Sequence, residues 1–254
     1  MRQIPGTDAL FPNDQRLAAF GPVRSSGRGR DQFLSDLHRS ARNIAAGTEL
    51  SIEGDEVHSV TWVLSGWISL NKMMDDGRQQ IIDFIYPFDV IFPAGADGTT
   101  ACCSMTAVTN AIVASYSNSE LRRQKEEFEE LSAILERLHW AQMARWGERM
   151  LRLGRGTAHE RIAYALLELY TRLQSSPASN AQRFSLPITQ NDLGEFTGMT
   201  SIHVCRIIRD LRNDGIIENG GQEILIRDLA KLEAIANISL HRLRKEILPF
   251  GVFH

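Results

Sequence analysis

The sequence predicts an α+β chain with three parts: a double-stranded β-helix (jelly-roll) domain, one long helix, and a C-terminal unit of short helices with a hairpin. Short β-type runs separated by turn residues fill 39–118, and an amphipathic helical pattern follows over 119–153. Two short capped helices then precede a glycine-centred hairpin. The 254 residues exceed the usual size of one domain, and with 43% of them hydrophobic the chain can form two cores.

The N-terminal part begins with a segment, 1–38, that we expect to form a tail and a short helix. Strand-like runs then follow at 43–45, 49–52, 60–64, 67–71, 80–85, 90–91 and 106–116, divided by turn residues such as Gly47, Gly66 and Gly77. Many short strands at this spacing favour a jelly-roll, or β-roll, over 39–118.

The segment 119–153 is predicted to be one helix. Apolar side chains recur in it at helical spacing: Phe128, Leu131, Leu135, Leu138, Met143, Trp146 and Met150. A helix of more than about thirty residues at about 1.5 Å each cannot bury its stripe against one small β-domain. We therefore expect this helix to pair with a second copy of the chain; the alternative is a long packing helix in a monomer.

Residues 154–254 are predicted to form a winged helix-turn-helix domain. Thr189 with Asp192 three positions later is a variant of the capping box and begins a short helix. The break at 197–199 ends it, and Thr200 or Ser201 caps a second helix that runs to about Asn213. The runs 216–218 and 223–226, on either side of the turn 219–221, predict the two strands of a wing.

The second helix has two different faces. One face is apolar and is predicted to pack: Val204, Ile207, Ile208 and Leu211. The opposite face carries Ile202, Cys205, Arg206, Arg209 and Asn213. A helix in the major groove presents such residues to base edges, and an arginine fork fits guanine N7 and O6, so Arg206 is the leading base reader. The alternative is a solvated arginine on an ordinary amphipathic helix.

These motifs resemble the CRP/FNR superfamily of bacterial transcription regulators. The resemblance rests on 188–194, 198–200, 204–206, 215–217 and 224–228, on the helix at 161–167, and on the pattern 63–70, which is similar to the central hairpin of cyclic-nucleotide-binding domains. It implies a β-roll sensor domain, a homodimer on palindromic double-stranded DNA, and RNA polymerase as a partner. It also assigns base-facing positions to Ser201, Ile202 and Arg206, with Cys205 and Arg209 beside them, and phosphate contacts to Thr189, Gln190, Thr200, His203 and Gly220 of the wing.

The chain departs from the family pattern at two kinds of site. The best-known members carry an arginine or another polar residue where Ser201 lies and a glutamate where Ile202 lies. Isoleucine cannot accept a hydrogen bond but can contact a thymine methyl, so the operator preference should change. In the nucleotide cassette, 92–94 reads Phe-Pro-Ala and 101–103 reads Ala-Cys-Cys, which removes the arginine, the carboxylate and the flexible turn that hold a cyclic phosphate. We expect standard cyclic AMP binding to be lost, with any effector an unidentified small molecule.

The cysteines allow a second interpretation of the β-roll. Cys102 and Cys103 could form a redox or metal switch, but neighbouring residues on a strand point to opposite faces and no cation is close in sequence, which favours ordinary packing. No cysteine precedes Cys102, so the N-terminal iron–sulfur cluster of one branch of the family is not expected. The few dispersed histidines predict no metal site, and we expect no cofactor.

Composition favours a regulator over other classes of protein. The net charge is −3, but 151–254 hold 13 basic and 11 acidic side chains, against 15 and 20 in 1–150, which suits site-specific DNA binding. Nucleotide-binding and hydrolase motifs are absent from the sequence, so we do not expect an enzyme. No long apolar run predicts a membrane span, and a reducing cytoplasm is the simplest setting for an odd number of cysteines. The alternative function is a β-roll sensor or scaffold whose C-terminal helices bind protein.

Overall fold

The computed structural model describes residues 28–87, 89–92, 94, 98–174 and 183–248. The chain forms two compact units, 1–139 and 140–254. Of the predicted tail and short helix over 1–38, residues 1–27 lie outside the described residues. None of the described helices is long and apolar enough to cross a membrane.

The first unit is a β-roll of two four-stranded sheets, as the spacing of the short runs predicts. One sheet has the order β1-β8-β3-β6 and the other the order β2-β7-β4-β5. The strands are β1 Ala41–Ile44, β2 Glu49–Ser51, β3 Ser59–Ser65, β4 Ile68–Met73, β5 Gln79–Ile85, β6 Val90–Ile91, β7 Ser104–Ala107 and β8 Ala111–Ser117. All neighbours within these sheets are antiparallel.

The run 106–116, expected as one strand, is two strands in different sheets. Residues 108–110 turn between β7 and β8, and this turn packs against the β3–β4 turn at Gly66. The Val108 N–H donates to Trp67 O at 2.8 Å, while Trp67 N–H donates to Thr109 Oγ1 at 3.0 Å. Gly66 has φ +79°, and a Cβ there would collide with the backbone of Asn110. The hydrophobic pattern continues across this turn, which is why it suggests a single strand.

Three helices follow or flank the β-roll: α1 Arg28–Arg39, α2 Asn118–Glu127 and α3 Leu131–Arg155. The prediction of one helix over 119–153 is therefore wrong at 128–130. Phe128 adopts an extended conformation, with φ −127° and ψ 90°, and is only 3% exposed. Its ring lies 5.9 Å from that of Phe33 on α1, in an aromatic cluster that also contains Trp62 and Tyr116. Burying Phe128 in this cluster interrupts the helix.

The second unit contains the C-terminal half of α3 and a helical domain with a small sheet. Its further helices are α4 Ala158–Gln174, α5 Gln190–Thr197, α6 Ser201–Asn213, α7 Leu229–Ala236 and α8 Leu240–Ile247. Its strands are β9 Arg183–Ser185, β10 Ile217–Gly220 and β11 Glu223–Ile226, in the order β10-β11-β9. Residues 162–167 of α4 are at most 2% exposed, so this helix forms the centre of the unit's core.

Candidate nucleic-acid interface

The helix α5 begins with the predicted capping box. Thr189 Oγ1 accepts from Asp192 N–H at 3.1 Å, and an Asp192 carboxylate oxygen accepts from Thr189 N–H at 2.7 Å. The same carboxylate oxygen also accepts the Thr189 hydroxyl at 2.8 Å. These bonds fix the first turn of α5, because each partner satisfies a backbone donor that the helix start would leave open.

The turn between α5 and α6 depends on two glycines. Gly198 caps α5 in the left-handed region, with φ 68° and ψ 38°, a conformation that glycine adopts at little cost. The Met199 N–H then donates to Gly194 O at 2.9 Å. A Cβ on Gly194 would lie 2.5 Å from Met199 O, so Gly194 allows the chain to turn back closely against its own helix.

The helix α6 has the two faces that its sequence predicts. Thr200 caps it, with its hydroxyl oxygen accepting from His203 N–H at 3.4 Å. The apolar face is buried: Val204, Ile207, Ile208 and Leu211 are at most 7% exposed. On the other face Ile202 is 80% exposed.

The predicted base-facing residues form one surface along α6. Ile202, Arg206 and Arg209 are exposed, whereas Ser201 and Cys205 are half-buried. The Cys205 thiol donates to the side-chain oxygen of Gln190, a contact between the two helices that the sequence did not indicate. The amide oxygen of Gln190 can only accept, so any contact of Gln190 with a phosphate oxygen must come from its amide N–H₂.

The predicted phosphate contacts surround this surface. Thr189 and Thr200 are the caps of α5 and α6, Gln190 and His203 are exposed on their first turns, and Gly220 is exposed at the end of β10. Unpaired N–H groups at helix starts are suited to bind anions. These residues lie at the two helix starts and in the wing, and the hydroxyl oxygens of Thr189 and Thr200 serve as caps.

The two predicted strands of the wing are present as β10 and β11, but β10 extends to Gly220, inside the predicted turn, and a third strand, β9, joins them. β10 pairs with β11 in register from Ile217–Ile226 to Gly220–Glu223. β11 also pairs with β9, and Arg183 on β9 lies 2.8 Å from Glu223. β9 has no strand signal of its own in the sequence, because three residues are too few to show a periodic pattern.

The Cys102–Cys103 pair lies in a bend before β7, so the assumption that the two cysteines are on a strand is wrong. Cys102 is half-buried and Cys103 is 4% exposed. Burial, together with the neighbouring Cys102, raises the pKa of Cys103 to about 12. The ammonium of Lys72 is close enough to lower that pKa slightly, and it pairs with Glu53. The sequence missed this cation because β4 is about thirty residues away along the chain.

The two segments that correspond to the nucleotide cassette, 92–94 and 101–103, come together in the structure. Ala94 and Ala101 form an isolated β-bridge, and Ala101 is 4% exposed; Pro93 lies outside the described residues. A cleft of about 150 Å³ lies elsewhere in the β-roll, and its lining includes Arg42, Asp55 and His58. Among the described residues, no three side chains of histidine, cysteine, aspartate or glutamate come together as a metal-binding group.

Two protein-family models match this chain. A cyclic nucleotide-binding domain matches residues 41–127, and a Crp-like helix-turn-helix domain matches residues 160–235. Between them the two models cover the β-roll and the helix-turn-helix with its wing.

Named relatives match across most of the chain. The transcriptional activator protein anr of Pseudomonas aeruginosa is 30% identical over 203 residues, covering 80% of this chain and 83% of the relative. The nitrogen fixation regulation protein FixK of Azorhizobium caulinodans is 30% identical over 192 residues, covering 75% and 77%. Among solved structures, FixK2 from Bradyrhizobium japonicum superposes with a TM-score of 0.69 at 27% identity, over 77% of this chain and 96% of that one.

Proposed function

Because this chain belongs to the CRP/FNR family of DNA-binding transcription regulators, we propose that it binds a palindromic operator as a homodimer, without standard cyclic AMP control. The observation that carries this proposal is α6, a capped helix with one fully buried face and an exposed face bearing Ile202, Arg206 and Arg209.

In this proposal the exposed face of α6 reads bases. Arg206 donates to guanine N7 and O6, and Ile202 packs on a thymine methyl, with Ser201, Cys205 and Arg209 beside them. The exposure of Ile202 supports this role, because a solvated isoleucine gains nothing from water, whereas contact with a methyl group removes apolar surface from it. Specificity therefore shifts towards thymine at the position that the glutamate of other family members reads.

The phosphate contacts position the helix and carry no sequence information. We assign them to the first turns of α5 and α6, at Thr189, Gln190, Thr200 and His203, and to Gly220 in the wing. The Thr189 hydroxyl donates to Asp192, whereas the Thr200 hydroxyl only accepts in its cap. The expected donors to phosphate are therefore the backbone N–H groups of these turns, the Thr200 O–H and the amide N–H₂ of Gln190.

The dimer is proposed from an apolar stripe on α3, which we call the seam. It consists of Trp140, Met143, Gly147, Met150, Leu151 and Gly154. Trp140, Met150 and Leu151 are 62%, 71% and 53% exposed, and the spacing of three and four residues is that of a helix that packs along a partner helix. Both glycines leave open space where a Cβ would be, which permits close approach. A second copy of the same stripe is the matching partner, because a two-fold axis pairs identical surfaces.

The β-roll is proposed to have lost the usual response to cyclic AMP. The cassette positions Phe92, Ala94 and Ala101 offer no charge to a phosphate, and burying an unpaired phosphate is costly. Any effector is thus of another kind. A calorimetric titration with cyclic AMP should show no heat of specific binding, and saturable micromolar binding would contradict this part of the proposal.

The setting follows from the proposed role. A regulator that binds an operator works on chromosomal DNA in the cytoplasm, and we propose that RNA polymerase is its partner there, as the names of the activator relatives suggest.

The test begins with selection of bound fragments from random duplexes, which reports the site, its symmetry and its spacing together. The change Arg206→Ala should then cost about 1–3 kcal/mol at the selected operator and reduce discrimination at one base pair in each half-site. Arg212→Ala is the matched control, because Arg212 is an exposed arginine in the last turn of the same helix. It should weaken binding to all duplexes equally or leave it unchanged.

The outcomes separate the two functions. If no symmetric site is selected, or if Arg206→Ala and Arg212→Ala behave alike, the assignment of α6 as the reading helix is wrong. If the C-terminal helices bind a protein partner and show no preference among duplexes, the scaffold alternative is favoured.

A further inference from the structure

The C-terminal half of α3 has a second face, opposite the seam, that is polar and yet buried. Gln142, Arg145, Arg149 and Arg152 repeat at intervals of three and four residues, and each is at most 8% exposed. Arginine is almost never buried unless it is paired. This face therefore has specific partners, and all four residues lie in the second unit.

Arg149 contacts the two helices that matter most for the proposed interface. Its Nε donates to Glu168 Oε2 at 3.1 Å and its Nη2 to Glu168 Oε1 at 2.7 Å, a bidentate pair with a fully buried carboxylate on α4. The same guanidinium lies over the ring of Phe196, 4.3 Å from its centroid. Phe196 is a fully buried residue of α5, the first helix of the helix-turn-helix.

The geometry of these contacts requires arginine. A planar guanidinium can donate two parallel hydrogen bonds to a carboxylate in one plane while its face lies on an aromatic ring. A lysine ammonium is a point charge, so it cannot donate two parallel hydrogen bonds to the carboxylate and stack on the ring at the same time. Arg172 Nη1 lies 3.4 Å from Glu168 Oε1. The Glu168 carboxylate therefore keeps a positively charged partner even if Arg149 is replaced by lysine.

We propose that Arg149 is a positioning residue that fixes the helix-turn-helix relative to the seam, and so sets the half-site spacing that the dimer accepts. This inference rests on the proposed dimer. Arg149 lies on α3 between the seam residues Gly147 and Met150 in sequence, but on the opposite face of the helix. The helix that lies along the proposed two-fold axis therefore contacts α5 directly through the Arg149 side chain. α5 in turn contacts α6 through the Cys205 thiol, which donates to Gln190, and the turn between them is closed by the Met199 to Gly194 hydrogen bond.

A fixed orientation of the two reading helices allows only one separation of half-sites, because each helix must meet the major groove at the correct angle about one turn, or 10–10.5 base pairs, from the other. Loosening the hold on α5 lets the domain follow a half-site that has been displaced. Binding to an isolated half-site involves no such constraint and should not change.

The experiment compares wild type, Arg149→Lys and Phe196→Leu on the full chain. Affinities are measured by fluorescence anisotropy for a single half-site and for palindromes with the selected spacing or with one or two base pairs added or removed. Phe196→Leu keeps the ion pair and removes the aromatic ring beneath the guanidinium, together with some core volume. The control is Arg152→Lys: Arg152 belongs to the same buried face, but it stacks on Tyr164 of α4 at 4.4 Å and pairs with Glu148 of its own helix.

Arg149→Lys should reduce the preference for the selected spacing about 2- to 30-fold, the range for residues that carry coupling between sites, with half-site affinity unchanged. Phe196→Leu should act in the same direction, whereas Arg152→Lys should lower only the melting temperature. Unchanged spacing preference in both Arg149→Lys and Phe196→Leu, at temperatures where circular dichroism shows them folded, would overturn the inference. A uniform loss of affinity for all duplexes would do so as well, because it indicates a purely structural role. If the wild type binds the palindromes no more tightly than the single half-site, the proposed dimer fails first. If it binds them more tightly but without any spacing preference, the dimer stands and the inference is overturned.

Discussion

The close approach at Gly194 gives the sharpest test of the helix-turn-helix geometry. In Gly194→Ala the new Cβ would lie 2.5 Å from Met199 O, where ordinary contact begins at 3.4 Å. The obstructing atom belongs to the backbone and cannot rotate away. The turn must therefore open by about 0.9 Å, or the Met199 to Gly194 hydrogen bond must lengthen.

The cost can be estimated from two opposing effects. Overpacking of this kind typically costs about 1–3 kcal/mol, and replacing glycine by alanine within a helix returns up to about 1 kcal/mol. Because the clash is with backbone, we expect a net loss of about 1–2 kcal/mol, or about 4 °C in melting temperature for each kcal/mol in a unit of this size. Operator affinity should fall as well, since the displaced turn leads directly into Ser201 and the start of α6.

Thermal unfolding followed by circular dichroism measures the first effect, and anisotropy on the selected operator measures the second. Gly220→Ala is the control for stability, because a Cβ at Gly220 meets nothing within 4 Å, and its stability should stay within about 0.5 kcal/mol of wild type. A Gly194→Ala protein as stable as wild type, with unchanged affinity, would show that the turn is not as closely packed as described.

Two further predictions concern the seam and the cysteines. Met150→Glu places like charges opposite each other across the two-fold axis. The variant should therefore sediment as a monomer at micromolar concentration in sedimentation velocity. If it stays dimeric, the dimer interface lies elsewhere. Because burial raises the pKa of Cys103 to about 12, its thiol should stay protonated at pH 8 and resist alkylation by iodoacetamide. The half-buried Cys102 should be alkylated under the same conditions. After unfolding in guanidinium, both thiols should react. Labelling of Cys103 should increase only as the pH rises towards that value; equal labelling of the two thiols at pH 8 in the native protein would contradict the described burial.

Local signals in the sequence predicted much of the proposed interface. The capping box at Thr189 and Asp192, the left-handed Gly198 and the cap at Thr200 all depend on hydrogen bonds that close within five residues. The alternation of buried and exposed residues on α6 follows from the helical period alone. Such features were predictable because the partners of each group are its near neighbours along the chain.

The features that were predicted wrongly or missed depend on residues that are distant along the chain. The break at Phe128 depends on an aromatic cluster with Phe33, ninety-five positions earlier in the chain, and β9 exists only because β11 pairs with it. Lys72 near Cys103 likewise depends on how the strands are ordered in their sheet. A helical period can continue through a residue that tertiary packing removes from the helix, so the sequence overestimated the length of one helix.

The sequence by itself determined the kinds of elements, the caps and turn of the reading motif, and the residues that α6 exposes, because these follow from hydrogen bonds and periodicities only a few residues long. The tertiary structure decided that Arg149 reaches both Glu168 and Phe196, that Cys205 holds Gln190, and that Phe128 divides a helix. Contacts between residues distant along the chain are selected by burial and pairing in the folded core, where a charged group must find its partner to avoid the cost of desolvation.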